Sequence, residues 1–193
     1  VLSAGEEFGH TLELVFSPLP KAPDGVRHWL VVGRDITVVR RLEEKLKRLA
    51  LFDGLTGLLN HYQFHVILDR EAQRSRRTAR SMGLLFFDLD NFKAVNDTKG
   101  HQAGDEVLRM VSRILKSRLR KGMDYPCRYG GDEFAVVVTE IEAPQLEQLA
   151  RRVSATIEEQ FKGELGMSAG LAMLGPEESP SALLRRADKA AYT

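Results

Sequence analysis

The sequence has little of what several large classes of protein require. Cys127 is the single cysteine in 193 residues, so no internal disulfide can form and a reducing compartment is indicated. No apolar run approaches the roughly 18 residues that a membrane span needs. The first ten residues lack the basic start and apolar core of a signal peptide. We therefore expect a cytoplasmic protein with no membrane contact in this segment, any anchor of the parent protein lying outside it.

The charge balance and the missing motifs argue against several other functions. With 28 basic and 27 acidic side chains the net charge is +1, which gives no overall attraction to nucleic acid. Neither the phosphate-binding G-x-x-x-x-G-K-[ST] nor the esterase G-x-S-x-G occurs, and Cys127 has no evident base nearby. His61 and His65 have the i, i+4 spacing of a metal pair, but no H-E-x-x-H motif or third ligand follows.

The chain divides into three zones. Residues 1–36 contain two strand-like stretches on either side of the turn formers "PKAPDG", too few strands to bury a core alone. Residues 37–52, "TVVRRLEEKLKRLALF", read as a charged amphipathic helix. Residues 53–193 alternate helices and strands in the order α-β-α-β-β-α-β-α, which predicts an α/β fold with a mixed sheet covered by helices.

The middle zone carries a short heptad pattern. Val39, Leu42, Leu46 and Leu49 are spaced 3-4-3 residues apart, as in the a and d positions of a coiled coil. One interpretation is a parallel linker that holds two chains together. The other is an amphipathic helix that packs on its own chain.

Two acidic clusters follow apolar strands. Asp88 and Asp90 end the run "MGLLFFDLD", and Asp132 and Glu133 stand in "RYGGDEF". Two carboxylates about 5 Å apart repel by about 3 kcal/mol at an effective dielectric near 20. The acids could simply end strands at the surface. If the strands are neighbours, the clusters instead converge on one point and supply the hard oxygen ligands that Mg²⁺ prefers.

Small and polar residues surround both clusters. Gly130 and Gly131 permit a tight turn, and they also permit close approach of a ligand to the backbone. The stretch "NFKAVNDTKGHQAGDE" contains Asn96 and Asp105, whose side chains can read the hydrogen-bonding edge of guanine. Asp105 could equally be the N-cap of the following helix.

With these residues in view, the third zone resembles the GGDEF family of diguanylate cyclases. Five motifs stand in the family's order: "DGLTGLLN" at 53–60, "FFDLDNFKAVNDTKGHQAGDE" at 86–106, "RYGGDEF" at 128–134, "MSAGLA" at 167–172 and "RADKAAY" at 186–192. The resemblance implies a five-stranded sheet ringed by helices, related to nucleotidyl cyclase and polymerase palm domains.

The resemblance also implies an activity. Two such domains, each holding one GTP, face each other as a homodimer and form cyclic di-GMP with release of two pyrophosphates. Mg²⁺, or Mn²⁺ in its place, would be held by Asp88, the backbone carbonyl of Leu89 and Asp132. Glu133 would bind a second metal ion or help to deprotonate the 3′-hydroxyl. The residues implied in substrate binding are Phe92, Lys93, Asn96, His101, Asp105, Gly130 and Gly131, with Lys93 offsetting charge on the triphosphate.

The sequence departs from the family pattern at several positions. The inhibitory Arg-x-x-Asp is replaced by Lys121 to Asp124, and because lysine lacks the bidentate fork of arginine, weakened product inhibition is expected. His61 stands where the family usually has Arg, which removes a structural salt bridge. The printed sequence ends ahead of the family's phosphate-contacting Ala-Lys-x-x-Gly-Arg segment, without which activity is expected to suffer.

The first zone resembles the last strands of a PAS sensor domain, whose Asp-Ile-Thr, here Asp35 to Thr37, leads into a signalling helix. The resemblance implies three parts: a PAS-like fragment at 1–36, a linker at 37–52 and a GGDEF domain at 53–193. The expected function is a cyclase controlled by that sensor. The alternative is an inactive GGDEF module that binds GTP or cyclic di-GMP and signals through protein contacts.

Overall fold

A computed structural model describes residues 2–3, 9–20, 23 and 26–191. The chain forms two compact units, residues 1–49 and 50–193. The elements are, in order, β1 (Leu2–Ser3), β2 (Leu12–Pro18), β3 (Trp29–Asp35), α1 (Thr37–Leu51), α2 (His61–Thr78), β4 (Met82–Asp90), α3 (Phe92–Lys99), α4 (His101–Arg118), β5 (Asp124–Gly130), β6 (Glu133–Thr139), α5 (Ala143–Gln160), β7 (Gly166–Met173) and α6 (Pro180–Ala191).

The first unit is a small antiparallel sheet in the order β1-β2-β3. The apolar side chains of β2 and β3 remain exposed, including Phe16 and Trp29. The start of α1 is fixed by Asp35, which accepts a hydrogen bond from the Thr37 backbone N–H at 2.9 Å, while the Thr37 hydroxyl accepts one from the Thr11 N–H at 2.7 Å. The predicted turn at "PKAPDG" lies mostly outside the described residues.

The apolar stripe of α1 is exposed. Val39, Leu42, Leu46 and Leu49 are 48%, 55%, 66% and 61% exposed. These exposures do not fit a helix whose stripe is buried within the first unit.

The second unit is built on a four-stranded sheet in the order β5-β6-β4-β7. Its strand pairs are antiparallel, and a parallel bridge joins Leu59 to Cys127 of β5. The predicted fold class, an α/β sheet surrounded by helices, is confirmed. The sheet has four strands where the resemblance implied five, because the segment around Leu59 contributes only this isolated bridge at the β5 edge.

Side chains alternate between the two faces of the sheet, and both faces are buried. Leu85, Phe87 and Leu89 of β4 pack with α4 and α5, while Leu84 and Phe86 pack with α2 and α6. This two-sided burial explains why β4 reads as a continuous apolar run rather than an alternating one.

One helix was missed from the sequence. Residues 92–99 form α3, and α4 begins at His101 with Gly100 as its N-cap. The capping interpretation of Asp105 is therefore wrong, because Asp105 lies in the second turn of α4. The sequence misled because two helices meet at Gly100, and its left-handed φ of 83° permits a sharp change of direction without an ordinary linker.

The backbone of a helix approaches the sheet closely at Gly170 of β7. A Cβ atom built there would overlap the carbonyl oxygen of Ala187 and lie 2.5 Å from the backbone nitrogen of Ala191. Both atoms belong to α6, whose backbone cannot yield as a side chain could.

We predict that Gly170→Ala destabilises the second unit by about 3 kcal/mol or more, which corresponds to a fall in Tm of about 10 °C. Thermal unfolding followed by circular dichroism measures the effect. Gly54→Ala is the matched control, because a Cβ at Gly54 meets nothing within 4 Å. Equal melting temperatures for the two variants would contradict the steric argument.

Candidate active site at the ends of β4 and β6

The two acidic clusters meet because their strands are neighbours. In the antiparallel register of β4 and β6, Asp88 lies directly opposite Glu133. By strand alternation both side chains leave the same face of the sheet as Leu84 and Phe86. The turn from Gly130 to Glu133, which joins β5 to β6, is called the signature turn below. A Cβ at Gly130 would lie 3.5 Å from Oε2 of Glu133, so the glutamate carboxylate reaches back over this turn.

Mutual repulsion is visible at Asp88. Burial raises the pKa of the Asp88 carboxyl, and the negative charges of Asp132, Glu133 and Asp90 raise it further, while a hydrogen bond from the Leu89 backbone N–H partly opposes the shift. That bond is 2.9 Å long. The group therefore binds a proton, or another cation, more readily than an ordinary aspartate.

Asp90 has a fixed partner that the sequence did not reveal. The hydroxyl of Ser168 on β7 donates to Oδ1 of Asp90 at 2.6 Å, and a Cβ at Gly166 would lie 2.9 Å from the other carboxylate oxygen. The next residue, Asn91, has a left-handed φ of 66°. Asp90 is thus held at the corner where β4 turns into α3.

The signature turn is held by Arg128. Its guanidinium donates to the carbonyl oxygen of Gly131 from Nε at 2.9 Å and from Nη2 at 2.7 Å. Its Nη1 lies 3.3 Å from a carboxylate oxygen of Asp53. Gly131 adopts φ 42°, a conformation that glycine takes without steric cost.

Asp53 is itself prepared for this ion pair. One carboxylate oxygen accepts from the backbone N–H of Thr56 at 2.8 Å and from its hydroxyl at 2.6 Å. Burial alone would raise the pKa of Asp53, but the Thr56 hydrogen bonds and the Arg128 charge outweigh it and the pKa is lowered. Asp53 and Arg128 lie within two of the five motifs, but the sequence did not predict them as site residues. Their ion pair joins positions 75 residues apart and leaves no local pattern.

The helices α3 and α4 bring together polar residues of the stretch "NFKAVNDTKGHQAGDE" at 91–106. A Cβ at Gly104 would overlap the amide oxygen of Asn96 and lie 3.2 Å from the ring of Phe92, so the Asn96 side chain rests directly on the Gly104 backbone. Asp105 follows and forms an ion pair with Arg109 at 3.8 Å. Lys93 and His101 are exposed in the first turns of α3 and α4.

In the region of Lys121 to Asp124, the aspartate side chain is already held by a neighbouring arginine. Asp124 is buried, and Arg120 grips it, with Nη2 2.7 Å from Oδ1 and Nε 3.1 Å from Oδ2. The same Nη2 donates to the carbonyl of Thr139 at 2.5 Å. Lys121 is exposed, and its pairing with Asp124 in an inhibitory site stays a prediction.

The donor types at the acidic cluster suit Mg²⁺, which prefers carboxylate and carbonyl oxygens. The raised pKa of Asp88 shows that these carboxylates are within electrostatic reach of each other. Across the described residues, however, no group of three or more His, Cys, Asp or Glu side chains is placed so that it could hold a metal ion. The ligand set Asp88, Leu89, Asp132 and Glu133 therefore stays a prediction.

We predict that Asp132→Asn raises the Tm of the metal-free protein by about 1–3 °C, because it removes one repelling charge. The gain depends on pH. The raised pKa of Asp88 penalises folding as pH rises from the unfolded-state value of 3.8 to the higher folded-state value, and the penalty is constant above it. The Tm difference between variant and parent should therefore grow over that window.

Asp97→Asn, at an exposed acid of α3, is the matched control and should not show the same pH dependence. A variant of Asp132 that melts below the parent at neutral pH without metal would contradict the repulsion argument.

Comparisons with known proteins agree with this geometry. A family model described as diguanylate cyclase, GGDEF domain, matches residues 50–193. Diguanylate cyclase DosC of Escherichia coli strain K12 is 37% identical over 169 residues, covering 83% of this chain and 36% of that protein. The chain thus spans about a third of this curated relative. A protein named cyclic di-GMP phosphodiesterase PdeB, from Shewanella oneidensis, is also 37% identical, over 166 residues, covering 82% of this chain and 19% of that protein.

Solved structures give the same result. The coiled coil and GGDEF domain of DgcB from Caulobacter crescentus, in complex with c-di-GMP, matches with a TM-score of 0.75 and 30% identity over 81% of this chain and 86% of that one. Diguanylate cyclase SiaD from Pseudomonas aeruginosa, in complex with its activator SiaC, matches with a TM-score of 0.69 and 32% identity over 80% and 62%. The chain belongs to the GGDEF family of diguanylate cyclase domains.

Proposed function

We propose that this chain is a Mg²⁺-dependent diguanylate cyclase that condenses two GTP into cyclic di-GMP and two pyrophosphates. The observation that carries the proposal is the register that sets Asp88 opposite Glu133, beside Asp132 and the Gly130-Gly131 turn. Four negative charges gathered at one edge of the sheet, with the pKa of Asp88 raised by burial and by its acidic neighbours, favour a cationic ligand there.

Asp88, the carbonyl of Leu89 and Asp132 would hold the metal ion. When bound, Mg²⁺, or Mn²⁺ in its place, would neutralise charge on the triphosphate and polarise the phosphoryl group under attack. The chain supplies the position: Asp88 is fixed on a buried strand and Asp132 on a turn that Arg128 holds by two hydrogen bonds. Rigid placement of this kind is what phosphoryl transfer requires of a protein.

Glu133 is the candidate proton acceptor. Its carboxylate reaches over Gly130, where a ribose 3′-hydroxyl can approach the backbone closely. In the proposed step the 3′-oxygen forms a bond to the α-phosphorus of the partner's GTP, the bond to pyrophosphate breaks, and the hydroxyl proton passes to Glu133. Lys93 and Phe92 would contact the triphosphate, with the lysine offsetting charge on the departing pyrophosphate.

Asn96 and Asp105 would read the guanine, with His101 nearby. Gly104 sets the position of Asn96, because any side chain there would displace its amide. The carboxylate of Asp105 is 48% exposed and shared with Arg109 at 3.8 Å, so it remains able to accept hydrogen bonds from a base.

One chain offers half of the site, since each GTP must meet the α-phosphate of another. We propose that α1 brings two chains together as a homodimer through its exposed stripe of Val39, Leu42, Leu46 and Leu49. A PAS-like sensor preceding α1 would control the pairing. The hydrogen bonds of Asp35 and Thr37 at the helix start support that connection.

The proposed enzyme would work in the bacterial cytoplasm, with any membrane anchor in other parts of the parent protein. Within the described residues no helix is long and apolar enough to cross a membrane. SiaD, a relative solved in complex with its activator SiaC, makes a protein partner a further candidate for control.

Product inhibition should be weak. The resemblance relates an inhibitory site to Lys121 and Asp124, but the Asp124 carboxylate is buried against Arg120. An incoming base would have to displace the bidentate bonds that Arg120, itself 45% exposed, makes to the Asp124 carboxylate.

The alternative is a GGDEF module without turnover that binds GTP or cyclic di-GMP and signals by contacts. The similarity to PdeB, a protein named for phosphodiesterase activity, supports retaining the module without turnover as a second candidate. The intact acids at 88, 132 and 133 favour the cyclase.

The decisive experiment is incubation with GTP and Mg²⁺, with products resolved by chromatography. We expect cyclic di-GMP from the parent and a rate lower by about 10²–10⁴-fold for Glu133→Gln, the range attributed to a general base. Glu177→Gln, at an exposed acid before α6, is the matched control and should keep the parental rate. Binding of GTP without product at high protein concentration would support the module instead.

Dimerisation gives a second prediction. The rate per chain should rise with protein concentration, and Leu46→Glu should shift that rise to higher concentration because it places a charge in the stripe. Lys47→Glu introduces the same residue beside the stripe and serves as the control. A rate per chain that stays constant on wide dilution, with the protein sedimenting as a monomer, would refute the half-site model.

A further inference from the structure

Two histidines at the beginning of α2 point their ring nitrogens at each other. His61 and His65 are one helical turn apart, and their Nε2 atoms lie 3.3 Å from each other. The ring centroids are 4.7 Å apart. The pair lies on α2, which carries none of the residues assigned to substrate or metal in the proposed cyclase site.

The separation of the two nitrogens suits a shared metal ion. Imidazole nitrogens bind Zn²⁺ at about 2.0–2.1 Å, so two of them at a tetrahedral angle lie about 3.4 Å apart. An octahedral site would need them about 0.4 Å closer than that. Little movement is therefore needed for both Nε2 atoms of the pair to reach one tetrahedral ion.

The rings are held in place by aromatic neighbours. Tyr129 packs on His61 with centroids 4.5 Å apart and contacts His65 at 6.0 Å. Phe64 meets His65 edge to face at 5.4 Å. These contacts restrict the side-chain rotamers. Binding of an ion would therefore cost less side-chain conformational entropy than it would at two unrestrained surface histidines.

The electrostatic surroundings also suit a cation. Imidazole binds metal only when neutral, and the pKa of His65 is lowered, first by burial and then by the neighbouring His61. Asp69, one turn further along α2, acts on His65 in the opposite sense and adds a negative charge beside the pair.

We propose that His61 and His65 form a binding site for a Zn²⁺-class transition-metal ion, distinct from the acidic cluster, with water completing the coordination. Among the residues that the structure describes, no third His, Cys, Asp or Glu joins the pair in a ready-made metal site. The inference does not depend on the proposed cyclase activity.

An ion at this site would act on the neighbouring strand end. Tyr129 is the residue before Gly130 and Gly131, and its ring lies against His61. Fixing His61 would therefore restrain Tyr129 and, through it, the point from which the signature turn begins.

The test is calorimetric titration of the full chain with Zn²⁺, in excess Mg²⁺ so that hard oxygen sites are occupied. We expect one ion per chain for the parent. His61→Gln and His65→Gln should each weaken binding by about 100-fold, because the second imidazole binds as an intramolecular ligand at high effective concentration. His28→Gln, a histidine of the first unit, should leave binding unchanged, and circular dichroism checks that every variant is folded.

Asp132→Asn locates the ion. Zn²⁺ binding that persists in Asp132→Asn and is lost in His61→Gln assigns the ion to the histidine pair, whereas the reverse pattern assigns it to the acidic cluster and overturns the proposal. Thermal unfolding gives an independent measure: at Zn²⁺ about 100-fold above Kd, the Tm should rise by about 5 °C in the parent and not in His61→Gln. Equal rises in both would also overturn it.

Discussion

The contact on which the rest of the site depends is the one between Arg128 and the carbonyl oxygen of Gly131. Two hydrogen bonds from one guanidinium fix the backbone of a turn that would otherwise be loose, since it is built on two glycines. The remaining guanidinium nitrogen is taken by Asp53. One side chain thereby ties the signature turn to the motif that opens the second unit, and both acids of the turn take their position from it. Lysine could not replace it, because a single ammonium cannot donate in two directions with fixed geometry.

The surroundings of Asp88 disfavour its ionised form. Burial and the neighbouring carboxylates raise the pKa of Asp88, whereas Asp53, whose carboxylate lies 3.3 Å from the Arg128 guanidinium, has its pKa lowered by hydrogen bonds and a cation. The same residue type is thus stabilised as an anion where it holds the fold and destabilised where a ligand is expected. A site that is strained without its ligand and relaxed with it is typical of a functional rather than a structural cluster.

The sequence predicted the fold class from periodicity, and it predicted a meeting of the acidic clusters on the condition that their strands are neighbours. The apolar run before Asp88 and the β-branched run after Glu133 required buried strands, and neighbouring buried strands bring their ends together. Other features escaped prediction for a common reason. The α3 helix and the Ser168 bond to Asp90 arise from contacts between distant segments or from backbone angles that no local pattern encodes. The histidine pair shows the converse: its spacing was visible, but the contact of the Tyr129 ring with His61 was not.

The register of β4 against β6 has a consequence for how the site can fail. Phe87 and Phe134, with rings stacked 5.3 Å apart, lie in register directly beside the Asp88–Glu133 pair. A shift of β6 by one residue would turn the Phe134 ring toward the opposite layer of helices and carry Glu133 to the face of the sheet opposite Asp88. The hydrophobic interior therefore allows no intermediate alignment. The packing of the strands therefore decides whether the acids lie together or apart, with no arrangement in between. Sequence changes in the surrounding loops can occur without altering their placement.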